Sequence, residues 1–144
     1  MDSVNWISML LATSTPIVIG YLFYHKMLFG KYLTNSVTNS IKSPNRFVSL
    51  ICFIVFSFFL SFFLLNFNNS GINQEGDFDT FQHGAWHGMF LAIMVVSPVL
   101  IITGLHSQRP FKETLIHILY WIITLALMGG IMDAMNHWKN VIIP

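Results

Sequence analysis

The sequence predicts an all-α, polytopic membrane protein: four transmembrane helices in an antiparallel bundle, with both termini outside the cytoplasm. Three observations predict it. The 144 residues are 54% hydrophobic and only 9% charged, with mean hydropathy +0.63. An average soluble domain carries about a quarter charged residues, and so few in water would leave large apolar patches exposed. Four stretches, residues 6–24, 47–65, 87–105 and 114–132, contain no Asp, Glu, Lys or Arg. Each approaches the roughly 20 apolar residues that a helix needs to span hydrocarbon, where every backbone amide must be satisfied within its own segment. Finally, the charges segregate. Lys26, Lys31, Lys42 and Arg46 fall in the first connection and Arg109 and Lys112 in the third, while only Lys139 of the seven basic residues falls on the other side. That asymmetry places the first and third connections in the cytoplasm.

The first span follows MDSVNWISML, which has an acid and no Lys or Arg before the apolar run, so a retained span is expected rather than a removable leader. Ser8, Ala12, Pro16 and Gly20 recur every four positions and predict a close-packing face. Residues 25–46 read as a polar connection lying along the inner surface. The second span carries seven phenylalanines around its whole circumference, with Ser57 and Ser61 as one polar seam for packing. Cys52 lies within it and reads as a small buried hydrophobe, so no intrachain disulfide exists. Residues 66–82 form a Gly/Asn/Asp loop holding Glu75, Asp77 and Asp79. The third span opens with Gly84 and Gly88, and the fourth repeats Ala126, Gly130 and Ala134 beside Gly129. Residues 106–113 turn the chain in a tight hairpin about Pro110. Pro16 and Pro98 fall inside spans and are expected to kink them. No repeat and no second domain is visible, so residues 1–144 read as one unit.

One constellation carries chemistry. His83 and His87 are four residues apart, as are Asp133 and His137, so each pair shares a helix face. Folding the hairpin about Pro110 sets the His83/His87 pair level with the Asp133/His137 pair to within a turn, at the outer interface. Four such N and O donors suit a transition metal, zinc, copper or iron, better than calcium. The alternatives are a structural role, with a His87–Asp133 pair locking the hairpin, and a proton or ion entry route. His25, His106 and His117 belong to the inner end, and their convergence there is a weaker expectation. A haem across the bundle is disfavoured, because His117 and His87 sit at opposite ends.

A second set of residues carries a resemblance. Asn5-Trp6, Gly20-Tyr21-Leu22-Phe23-Tyr24, Leu28-Phe29-Gly30-Lys31 and Arg109-Pro110-Phe111, followed by an aromatic, Gly-containing last span ending near Trp138, resemble a bacterial family known as domain of unknown function 1761. The likeness covers nearly the whole chain, with Gly20, Tyr24, Phe29, Gly30 and Lys31 its most specific part. It implies a small four-helix protein of the bacterial inner membrane and supplies no activity. The motif reads structurally: Gly20 for close contact, Tyr21 and Tyr24 as interface anchors, Gly30 ending a helical extension, and Lys31 snorkelling to headgroups.

The function expected is therefore structural or accessory. The partners are the lipid bilayer and either further copies of the chain or a larger membrane complex. The few, dispersed basic residues exclude nucleic acid, and short loops leave little room for a soluble catalytic site. Metal or proton handling at the outer cluster is the second expectation. A small transporter is the third, with Thr13, Ser14, Thr15 and Thr124 among the few polar residues available to a path.

Overall fold

The structure, a computed structural model, describes residues 5–33, 46–68 and 80–135. Every regular element among them is helical. Helix α1 spans Trp6–Phe23, the three-residue α2 Lys31–Leu33, α3 Arg46–Asn68, α4 Phe81–Leu91, α5 Ser97–His106 and α6 Phe111–Met135. Three helices are long and apolar enough to cross a membrane: Trp6–Phe23, the continuous run Phe81–His106, and Phe111–Met135. Within α3 the apolar stretch Leu50–Leu64 is shorter.

Local chemistry sets the ends. Asn5 caps α1, its Oδ1 accepting from the N–H of Ile7 at 3.1 Å and of Ser8 at 3.4 Å. Its Nδ2 donates to the Met135 carbonyl at 2.9 Å, tying the start of α1 to the end of α6. Thr80 caps α4 through the His83 N–H, so this helix begins six residues before the expected span. The hairpin between α5 and α6 closes with Gln108 in the left-handed region, φ 52°, and the Arg109 N–H donating to the Gly104 carbonyl at 2.9 Å. The Pro110 carbonyl then accepts from Glu113 and Thr114, starting α6.

Pro98 does not simply kink its helix. It has no N–H for the Met94 carbonyl, and its ring crowds that oxygen. The chain answers with a wide turn over Ala92–Val96, in which the N–H and the Oγ of Ser97 both donate to the Ala92 carbonyl, five residues back. α4 and α5 thereby remain one continuous run.

Helix α6 is the central post, packed against α4, α1 and α3. Met9, Ala12, Leu64, Ala92, Leu125, Met128 and Met132 form its main core, and Phe23, Ile116 and Tyr120 a second cluster toward the hairpin. Small residues let the backbones approach, as the stripes predict. A Cβ at Gly84 would strike the Gly129 carbonyl oxygen, and one at Gly88 the Leu125 carbonyl oxygen. Ser8, Ala12 and Pro16 are buried along α1. The seam of α3 behaves as a packing face: Ser57 and Ser61 are fully buried, and Ser61 Oγ lies 3.3 Å from Thr13 Oγ1 of α1. Phe47 and Phe59 are largely exposed, whereas Phe53 and Phe56 set their rings against Trp121 of α6, centroids 6.4 and 5.7 Å apart. Cys52 is exposed rather than buried, because α3 is apolar all round and its single inward seam is taken by the serines.

Candidate functional site

The described residues contain two carboxylates, Glu113 and Asp133, and both are buried, at 8% and 7% exposure. An acid inside an apolar bundle is costly unless something compensates it. The two are compensated very differently.

Asp133 sits at the end of the bundle away from the hairpin. Its Oδ2 accepts from His83 Nδ1 at 2.8 Å, the ion pair found among the described residues. The His87 ring meets the His83 ring edge-to-face, centroids 4.2 Å apart. The structure therefore brings His83, His87 and Asp133 together. His137 lies outside the described residues, as do Glu75, Asp77 and Asp79. Among the described residues, no three His, Cys, Asp or Glu side chains stand in a metal-holding group.

The register differs from the hairpin arithmetic by about one turn: His83, rather than His87, meets Asp133. Two physical causes act together. The wide turn at Ala92–Val96 packs an extra residue into nearly the same rise. The contacts of Gly84 with Gly129 and of Gly88 with Leu125 then fix where the two helices touch. His83 also lies in the first turn of α4, whose exposed N–H groups favour a nearby carboxylate. Beside this cluster an open groove of about 240 Å³ is lined by Phe81, Gln82, Ala85, Trp86, Met89 and Ala126, and is almost wholly apolar.

The hairpin end holds a second polar group, built around His117. His117 is half-buried, and its Nδ1 and the Tyr24 hydroxyl share a hydrogen bond of 2.7 Å. Tyr120 in turn donates to the Pro16 carbonyl at 2.8 Å. Glu113 stands one turn before His117, and its Oε1 has no hydrogen-bond partner. His25 and His106 are exposed, so the three histidines of this end do not converge. The available signal for His117 was its spacing of four from Glu113 on the face that Tyr24 reaches.

The most specific motif lies at this same end. After α1 the chain makes a wide turn over Lys26–Gly30 in which Leu28 leaves helical geometry (φ −99°, ψ −107°). Gly30 does not end a helical extension, because helix resumes at Lys31. It is glycine because a Cβ there would strike the Tyr24 carbonyl oxygen. The turn lays Phe29 on Phe23, rings stacked with centroids 4.4 Å apart. A Cβ on Gly20 would meet Tyr120 Oη at 3.4 Å, so that glycine borders the same aromatic cluster. Arg109 and Pro110 form the hairpin that starts α6 below His117.

Comparison with known proteins decides the affiliation. The sequence model of a family described as a protein of unknown function, DUF1761, matches residues 7–132. The chain belongs to the DUF1761 family. No match is found among curated proteins or among solved structures. For this DUF1761 member the motif residues Gly20, Tyr24, Phe29, Gly30 and Lys31 thus share one end of the bundle, and the His83–Asp133 pair the other.

Proposed function

We propose that this DUF1761 member is a four-span protein of the bacterial inner membrane, acting as a structural or accessory bundle that joins further copies of itself or a larger membrane complex. The spans are α1, α3, α4 with α5, and α6. The basic connections face the cytoplasm, and both termini face away from it. The observation that carries the accessory reading is the apolar layer between the two polar ends. Met9, Ala12, Leu64, Ala92, Leu125 and Met128 are buried there, Thr124 Oγ1 is the one buried hydroxyl among the described residues without a hydrogen-bond partner, and three others bond within their own helices. Thr15 donates to Leu11, Ser57 to Phe53, and Ser61 to the Ser57 carbonyl. Such hydroxyls stitch helices and do not line a path, which argues against a transporter. The test is native mass and crosslinking of the full chain in mild detergent. An oligomer or a co-purifying membrane partner is the expected result. A strictly monomeric species without a partner would count against the accessory role.

One observation favours a second reading, metal or proton handling at the outer cluster. In metal sites a carboxylate on one ring nitrogen orients the imidazole for ligation, and the 2.8 Å contact of Asp133 with His83 Nδ1 has that form. On this reading Asp133 orients His83, His83 and His87 ligate, and His137, outside the described residues, is the further donor that the sequence offers. Elemental analysis of the purified protein should then find near-stoichiometric zinc, copper or iron, lost in His87→Ala. Protein that stays empty after loading removes this reading.

A further inference from the structure

The Leu28-Phe29-Gly30-Lys31 motif both shapes the turn and presents something to its surroundings. What it presents is a charge. With Gly30 against Tyr24 and Phe29 on Phe23, the turn delivers Lys31 and Tyr32 of α2 next to the start of α6. There Lys112 Nζ sits 4.1 Å from the centre of the Tyr32 ring, and Lys31 Nζ sits 4.9 Å from the same centre. Two ammonium groups from separate elements therefore lie within about 10 Å of each other, the distance over which charges still interact at ordinary ionic strength.

Among the described residues no acid neutralises them. The carboxylate nearest in sequence, Glu113, is turned into the bundle and buried. Among the described residues the ion pair is His83–Asp133, at the opposite end. Arg109 adds a third positive charge at the same end, three residues before Lys112, and is likewise without an ion pair among the described residues. The electron-rich face of Tyr32 holds each ammonium weakly, but it does not cancel the repulsion between them. An anion bound between the two lysines would.

We propose that Lys31 and Lys112, with Tyr32 between them, form a binding site for a phosphate group, supplied in the bilayer by the headgroup of an anionic phospholipid. The inference rests on the membrane reading above. It goes beyond general attraction of a basic surface to anionic lipid, because it assigns the preference to two particular lysines that the Lys26–Gly30 turn places on one ring. The turn itself is then the device that builds the site: Gly30 permits it, Phe29 anchors it, and Lys31 is its product.

The test uses the full chain reconstituted in nanodiscs containing a minority of phosphatidylglycerol in phosphatidylcholine, with retained lipids identified by native mass spectrometry after detergent extraction. Each lysine near an anionic surface is worth about a fivefold preference. The wild type should retain phosphatidylglycerol preferentially, and Lys31→Gln/Lys112→Gln should reduce that preference roughly 25-fold. Lys42→Gln, which removes one charge from the same basic connection, should leave it nearly unchanged. A parallel titration of inorganic phosphate into detergent-solubilised protein separates the two sources. Saturable phosphate binding that the double variant loses, without lipid preference, keeps the site and assigns it to free phosphate. Equal loss in Lys42→Gln, or an unchanged double variant in both arms, overturns the proposal. Failure of the membrane reading would look different, as a chain that stays soluble without detergent and never enters the nanodisc.

Discussion

Two glycines in this chain have opposite tolerances, and the difference follows from what each faces. Gly88 of α4 faces the backbone of α6: a Cβ there would collide with the Leu125 carbonyl oxygen, which cannot rotate away. Gly20 of α1 faces the hydroxyl end of Tyr120 at 3.4 Å, a side chain that can give a few tenths of an ångström. Gly88→Ala should therefore force α4 off α6 and cost about 1–3 kcal/mol, the usual range for overpacking. Gly20→Ala should cost less than about 1 kcal/mol. Thermal unfolding of both variants in the same detergent checks the contrast, and equal losses would refute it. The same scale shows what the sequence withheld about the candidate site. The convergence of His83, His87 and Asp133 was legible from four-residue spacing and the hairpin. Which histidine meets Asp133 was not, because one wide turn at Ala92–Val96 and two glycine contacts move the register by a turn. The Tyr24–His117 bond was illegible for another reason: it joins α1 to α6 across 93 positions, and no periodicity reports a partner that distant.

At the scale of elements, α3 depends on a narrow seam, Ser57, Ser61 and Leu64 with Phe53 and Phe56 against Trp121, while outward phenylalanines such as Phe59 do little for the bundle. Lipid is as apolar as Phe, so outward rings gain nothing from packing inward, and close approach through small residues holds such helices together. Ser57, Ser61 and Leu64 are fully buried, whereas Phe59 is 64% exposed. Thr13 Oγ1 and Ser61 Oγ lie 3.3 Å apart, so cysteines at these two positions should crosslink readily. In a Cys52→Ser background, Thr13→Cys/Ser61→Cys should form an intrachain disulfide under mild oxidation, detectable after cleavage between α1 and α3. Thr13→Cys/Phe59→Cys should not, because Phe59 faces away. Disulfide in both pairs would mean that α3 rotates freely, and in neither that it packs elsewhere. The seam was legible in advance, because two serines stood out in a helix otherwise apolar all round. The exposure of Cys52 was not, since an apolar residue in an apolar helix carries no sign of which way it faces.

For the whole molecule, the decisive quantity is the separation between the two ends of one rod. The run Phe81–His106 holds 26 residues, about 39 Å at 1.5 Å per residue, which exceeds the roughly 30 Å of hydrocarbon in a bilayer. Thr80 and Ser107, just beyond its two ends, are both exposed. If the chain crosses the membrane as proposed, these two positions lie in different aqueous compartments. The basic residues Arg109 and Lys112 assign Ser107 to the cytoplasm. In the Cys52→Ser background, a membrane-impermeant maleimide added to intact spheroplasts should modify Thr80→Cys at once and Ser107→Cys only after permeabilisation. The reverse pattern would invert the orientation and, with it, the inner position of Lys31 and Lys112. Immediate labelling of both would mean that this rod does not cross at all, and no charge asymmetry in the connections could then restore the arrangement.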